Sequence, residues 1–269
     1  MRNLRVSFLI GDKMTSLREK LNSKNILIGT QLFTGSKEIA ELYGSMQYDF
    51  VFICAEHPAY GIETVRDLVK YTEGSGTPAL VRLPELDLTF TKKVLDLGAS
   101  GVLFSMIKDK KDASLAMDMC LYPPYGKRGF GPMAAVKWGL ESERDFVYKN
   151  NAEGTVRMLQ IEHVGMVDDL EEIAKNPYID CFIFGPNDLA ASMGRIMNIY
   201  HPEVQSVIRR ATEILSRRNK RFGVSLGAID AEKFKFWKEL GMTVFSVGSD
   251  FAYARDGALN VLERLNMLR

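Results

Sequence analysis

The chain is poor in the residues that build most redox and zinc sites. Three cysteines stand in 269 residues, at Cys54, Cys120 and Cys181, widely spaced and with no Cys-x-x-Cys pair. An odd, scattered set excludes a disulfide framework and a thiolate zinc site, and fits a reducing cytoplasm. Histidine is as scarce: His57, His163 and His201 lack the tight spacing of zinc ligands. An excess of one charge is also missing. Against 34 Asp and Glu stand 35 Lys and Arg, a formal charge of +1, so no broad field exists to hold nucleic acid or an anionic membrane. The densest basic run, Arg217, Arg218, Lys220 and Arg221, follows a helical stretch, where cations complement the carbonyl end of the helix dipole. No apolar run approaches a membrane span. The patch from Val6 to Ile10 is too short for a signal core and stops at Asp12.

What is present is an alternation. From Ile26 onward, short β-branched runs alternate with longer amphipathic segments to the C-terminus. Eight strands are predicted: Ile26 to Leu32, Phe50 to Ala55, Pro78 to Leu83, Gly101 to Ile107, Val156 to Glu162, Cys181 to Pro186, Phe222 to Gly227 and Val244 to Asp250. Each is short and mostly apolar, as parallel strands buried on both faces must be. The segments between them read as helices, several stopped by Gly. Eight strand and helix units predict a single (β/α)8 TIM barrel over residues 1–269, with 1–25 as an N-terminal capping segment. A doubly wound open sheet has the same periodicity and stays open at this point. The one long irregular insert, Tyr122 to Gly139, is of the kind that serves as a lid or an interface arm.

In a barrel of this kind chemistry gathers at the carboxyl ends of the strands. Polar residues predicted there include Gln31, Glu56 with His57, Arg82, Ser105, Gln160, Glu162, the run Gly185-Pro186-Asn187-Asp188, Ser225, Ser249 and Asp250. Glu162 and Asp188 end consecutive strands, and two carboxylates on neighbouring staves suit a hard divalent cation that keeps positions for water and substrate oxygens. Capping or an arginine pair is the alternative for both. Arg82, on a strand buried on both faces, needs an anion: either Glu56 or a substrate oxyanion. His57 is the best-placed proton carrier, while His163 and His201 read as packing or capping residues. By strand parity Cys54 and Glu56 share a face and His57 points away, unless the strand ends first. Lys108 lies among Asp109, Lys110, Lys111 and Asp112, too solvated for an imine-forming lysine.

Several segments carry a family resemblance: "YDFVFICAEH", "LVRLP", "LDLGASGVLFSM", "YPPYGKRGFG", "LQIE" and "FGPNDLAASMG", in that order. With them the chain resembles the metal-dependent pyruvate aldolases of the 4-hydroxy-2-oxoheptanedioate aldolase family, from Ile26 to near the end. The resemblance implies a lyase that reversibly cleaves a 4-hydroxy-2-oxo acid to pyruvate and an aldehyde. It implies Glu162 and Asp188 as ligands of a Mg²⁺, Mn²⁺ or Co²⁺ ion, His57 as general base and Arg82 on the keto oxygen. Gln160, Gly185, Pro186 and Asn187 would then contact the oxo-acid substrate, its carboxylate held by N–H groups at a helix start. A homo-oligomer, a hexamer or trimer of dimers that exchanges its last helix, is implied as well. Related lyases acting on CoA thioesters, and a quiet keto-acid binder, are the neighbouring expectations. One departure stands out. The family's Asp before Gly-Glu-His, which would orient the histidine, is here Cys54, so either Glu56 or a water takes its place or aldol turnover is slow.

Overall fold

The structure, a computed structural model, describes residues 15–227 and 230–268. The apolar patch from Val6 to Ile10 and the first part of the expected cap lie outside them. Eight parallel strands follow in order: β1 (Leu27–Leu32), β2 (Phe50–Cys54), β3 (Ala79–Leu83), β4 (Gly101–Phe104), β5 (Val156–Ile161), β6 (Cys181–Phe184), β7 (Arg221–Leu226) and β8 (Val244–Val247). They form a closed barrel in sequence order. Closure is made by β1 against β8, with Leu27 opposite Val244 and Gly29 opposite Ser246. That ladder excludes the open doubly wound sheet, which periodicity alone leaves standing.

The helices are α1 (Leu17–Ser23), α2 (Lys37–Ser45), α3 (Ile62–Gly74), α4 (Leu88–Asp96), α5 (Lys110–Cys120), α6 (Glu143–Lys149), α7 (Val164–Asp168), α8 (Leu170–Ile173), α9 (Pro186–Ser192), α10 (Pro202–Arg217), α11 (Ala231–Glu239) and α12 (Asp250–Asn266). Alternation along each strand splits the core in two. Phe50, Phe52, Leu80, Leu103, Met158 and Ile183 fill the barrel with Leu17 and Leu21 of α1. Val51, Ile53, Val81, Val102, Leu159 and Phe182 pack outward under the helices. α1 is held by a capping box between Ser16 and Glu19 and by Arg18, which bonds both oxygens of Asp180 and the carbonyls of Glu153 and Thr155.

Six strands stop short of their predicted ends, β4 and β8 by three residues each, and the reason in those two positions the site. β4 ends at Phe104 because Met106 turns to φ 56°, and β8 ends at Val247 before Gly248 at φ 71°. The insert from Tyr122 to Gly139 is not a lid over the mouth. It is pinned by Arg128, whose guanidinium bonds Asp96 at 2.7 Å and Asn150 at 2.9 Å and lies 4.5 Å over the Tyr122 ring. From there it runs along α4 towards Gly98, against which Ala135 packs.

Candidate functional site

The mouth of the barrel is assembled from the ends of β2, β3, β5 and β6. On β2 the inward positions are Phe52 and Cys54, and Glu56, two residues on, turns to the same side. Its side chain is 14% exposed while that of His57 is 61% exposed, so the acid faces the mouth and the imidazole stands on the rim. Arg82 of β3 meets that acid: Nη1 lies 3.0 Å from Glu56 Oε2, a close ion contact whose angle falls short of a directed hydrogen bond. Nη2 donates to Cys54 Sγ at 3.0 Å, and the guanidinium lies 5.3 Å over the Phe52 ring. Burying an arginine is tolerable only with such company. Its Nε is nevertheless buried with no partner.

Cys54 also receives the main-chain N–H of His57 at 3.4 Å, and the Tyr60 hydroxyl bonds the Cys54 carbonyl. The His57 ring stacks loosely on Phe33, with centroids 6.4 Å apart, and its Nε2 is 3.9 Å from Glu56 Oε2.

Glu162 follows β5 and is buried. Burial pushes its carboxyl up to about 7; the Met106 N–H at 2.9 Å opposes that rise, and the Glu56 and Asp188 carboxylates add to it. Beside it, Gln160 is buried with its Oε1 unpartnered. Gly185 makes this crowding possible. A Cβ there would lie 2.7 Å from Glu162 Cγ and Oε1 and 2.8 Å from Gln160 Nε2. Pro186 starts α9, fitting a position whose N–H no helix bond needs, and Asn187 and Asp188 are exposed on its first turn.

Among the described residues no three His, Cys, Asp or Glu side chains converge to hold a metal by themselves. What fits is a hard cation. Two carboxylates and one orphaned amide oxygen, in a pocket where a carboxyl is forced towards neutrality, match a Mg²⁺-like ion that completes its shell with other oxygens, not a zinc cage. The structure thus brings Glu56, Arg82, Gln160, Glu162 and Gly185 to one mouth, with Asp188 near enough to act on Glu162 and His57 at the edge. His163 and His201 are N-caps, accepting from the N–H groups of Gly165 and Glu203. The contribution of the Met106 N–H had no signal in the sequence, since nothing marks a methionine for positive φ. Open grooves of about 480 Å³ beside Asn150 and about 880 Å³ between α3 and α4 lie on the flank, away from these residues.

Residues 31–256 match the family model described as HpcH/HpaI aldolase/citrate lyase. The 5-keto-4-deoxy-D-glucarate aldolase of Escherichia coli strain K12 is 29% identical over 87% of this chain and 90% of its own length. The hydroxypyruvate/pyruvate aldolase of Paraburkholderia phytofirmans is 30% identical over 87% of this chain and 91% of its own. The solved HpcH/HpaI aldolase from Desulfitobacterium hafniense superposes with a TM-score of 0.85 at 26% identity, covering 93% of this chain and 96% of that one. The substrates named for these two sequence relatives differ from the heptanedioate of the resemblance noted above.

Proposed function

The chain belongs to the HpcH/HpaI aldolase/citrate lyase family, and from that premise we propose that this carbon–carbon lyase is a metal-dependent aldolase cleaving a 4-hydroxy-2-oxo acid reversibly to pyruvate and an aldehyde. The observation that carries the reading is the buried Glu162 carboxyl, pushed up to about 7 beside the unpartnered Gln160 oxygen. Such a pocket is short of a cation, and a keto acid brings the oxygens to share one. Glu162 and Asp188 would hold a Mg²⁺, Mn²⁺ or Co²⁺ ion. When bound, that ion supplies Lewis acidity to the keto and carboxylate oxygens of the substrate.

The chain's own groups do the rest. Arg82 steadies the negative charge that grows on the keto oxygen as the bond breaks. His57 takes the proton of the C4 hydroxyl through a water; the C3–C4 electron pair then moves into the pyruvate enolate and the aldehyde leaves. Protonation of the enolate at C3 gives pyruvate. Main-chain N–H groups at Asn187 and Asp188 receive the substrate carboxylate, and Gly185 and Pro186 leave room for it beside Gln160. The Phe52 ring under Arg82 keeps bulk water from below.

The proposal extends to assembly. Along α12 only Asp250 and Ala252 are buried, while Phe251, Leu259, Val261, Leu262 and Leu265 are about half exposed. A helix so little covered by its own barrel supports a homo-oligomer, a hexamer or trimer of dimers, in which this helix packs on a neighbour. Three buried free thiols support a cytoplasmic setting; no helix among the described residues is long and apolar enough to cross a membrane.

Pyruvate incubated with the protein and Mn²⁺ in D₂O tests the function. Exchange of the methyl protons is the expected result; binding of pyruvate without exchange marks a keto-acid binder and sinks the aldolase reading.

A further inference from the structure

Glu56 stands in the mouth without a task in the steps above. Yet one of its oxygens touches both side chains assigned to the chemistry: Oε2 lies 3.0 Å from Arg82 Nη1 and 3.9 Å from His57 Nε2. The other residue placed to serve the same two groups is Cys54, two positions back on the same face. Its sulfur takes the Arg82 Nη2 hydrogen at 3.0 Å and the main-chain N–H of His57 at 3.4 Å. Neither contact supplies a carboxylate, and neither reaches the imidazole ring. With a ring 61% exposed and loosely stacked on Phe33, the His57 imidazole has no other polar contact to aim it among the described residues.

We infer that Glu56 is the positioning residue of this site, a single carboxylate that holds the Arg82 guanidinium and aims the His57 imidazole together. This rests on the aldolase reading of the mouth. The physics favours it on both sides. A carboxylate against an imidazole selects the tautomer and stabilises the protonated ring that forms when the base takes its proton. Against a buried guanidinium it keeps the charge in place, so that Arg82 does not turn away to find another counter-ion. The poor angle of the Oε2 to Arg82 contact leaves the oxygen free to accept from His57. The 3.9 Å gap is of the kind that closes when substrate is seated. The backbone is braced for this: Tyr60 ties the Cys54 carbonyl, and the Ala55 N–H bonds the Arg82 carbonyl at 3.0 Å. Glu56 therefore leaves a strand end that cannot drift relative to β3.

The test is the Mn²⁺-loaded full chain condensing pyruvate with glycolaldehyde, alongside methyl exchange in D₂O. A wild type that neither condenses nor exchanges defeats the aldolase reading itself. With an active wild type, Glu56→Gln is expected to lower kcat about 100-fold, the low end for a displaced acid-base group, while KM for pyruvate moves less than threefold. Adding Cys54→Asp, which places a carboxylate where the Cys54 thiol meets Arg82 and the His57 main chain, is expected to recover at least tenfold in kcat, and His57→Asn to remove that recovery. Retention of kcat within threefold in Glu56→Gln, or no recovery in the double variant, overturns the inference. Should Glu56→Gln not fold, the double variant is compared with Glu56→Gln/Cys54→Asn, its uncharged counterpart: a kcat at least tenfold higher with the carboxylate supports the role, and equal kcat values overturn it.

Discussion

The main-chain N–H of Met106 donates to Oε2 of Glu162 at 2.9 Å, and Met106 takes φ 56° where it does so. A left-handed turn at a non-glycine residue costs about 1–2 kcal/mol, and here it ends β4 early and points a donor at the carboxylate of β5. One hydrogen bond does not compensate Glu162 for its burial, and the site is left with an acid that favours its neutral form.

Stability should therefore fall with rising pH in the metal-free protein. The Glu162 carboxyl goes from an ordinary 4.5 to about 7 in the fold. Between those values the folded state keeps a proton that the unfolded chain has lost, so the contribution is full below about 4.5 and disappears as pH rises through 7. Its size is about 3 kcal/mol. Urea unfolding from pH 5 to 8 should show the decline. Mn²⁺ should restore about 2.7 kcal/mol at a hundred times its Kd. Metal-free Glu162→Gln should lose the slope and exceed wild-type stability at pH 8; a slope unchanged by that substitution would put its source elsewhere.

Gly185→Ala probes the crowding at β6. The added methyl would lie 2.7 Å from the Glu162 carboxylate and 2.8 Å from the Gln160 amide. The glycine is not needed for backbone freedom, since its φ is −105°. The variant is expected to fold and to bind Mn²⁺ at least tenfold more weakly by titration calorimetry. Unchanged affinity would remove Glu162 from the metal's shell.

Removal of Arg82 should cost stability and rate together. Arg82→Ala strands Glu56 in a half-closed pocket, a loss of about 3–5 kcal/mol by the measure of broken buried pairs. The same change takes a donor from the oxyanion and should lower kcat by about 10²–10³. Thermal melts and steady-state kinetics on one preparation check both; a stability loss with kcat intact would leave Arg82 a purely structural residue.

Leu262→Glu places a charge in the middle of the exposed apolar face of α12. The proposed oligomer should then sediment as smaller species than wild type while each barrel keeps its far-UV circular dichroism. An unshifted sedimentation coefficient would show that the face takes no part in assembly.

Much of the barrel was legible because its causes are local. Ala79 to Leu83 is apolar on both faces except at Arg82, so the strand and its one exception could both be read in five letters. The neighbours of Arg82 could be read only as alternatives. Glu56 as its ion partner was one of two anions weighed, and the structure supports that contact directly at 3.0 Å. The predicted overrun of β4 to Ile107 shows the limit: Met106 and Ile107 are apolar and read as strand, but the N–H of Met106 leaves the ladder for a carboxylate 56 residues away.

The order of letters by itself settled the eightfold alternation, that Cys54 and Glu56 share a face, and which polar residues would stand at strand ends, because hydrophobic period and side-chain parity are properties of neighbours along the chain. Only the tertiary structure decided that β8 returns to β1, that Glu56 and not His57 faces the mouth, and that Glu162 is desolvated enough to hold its proton near neutrality. Those outcomes depend on groups far apart in sequence: a ladder between the first and last strands, the place where a strand lets go, and the number of atoms that crowd one carboxylate.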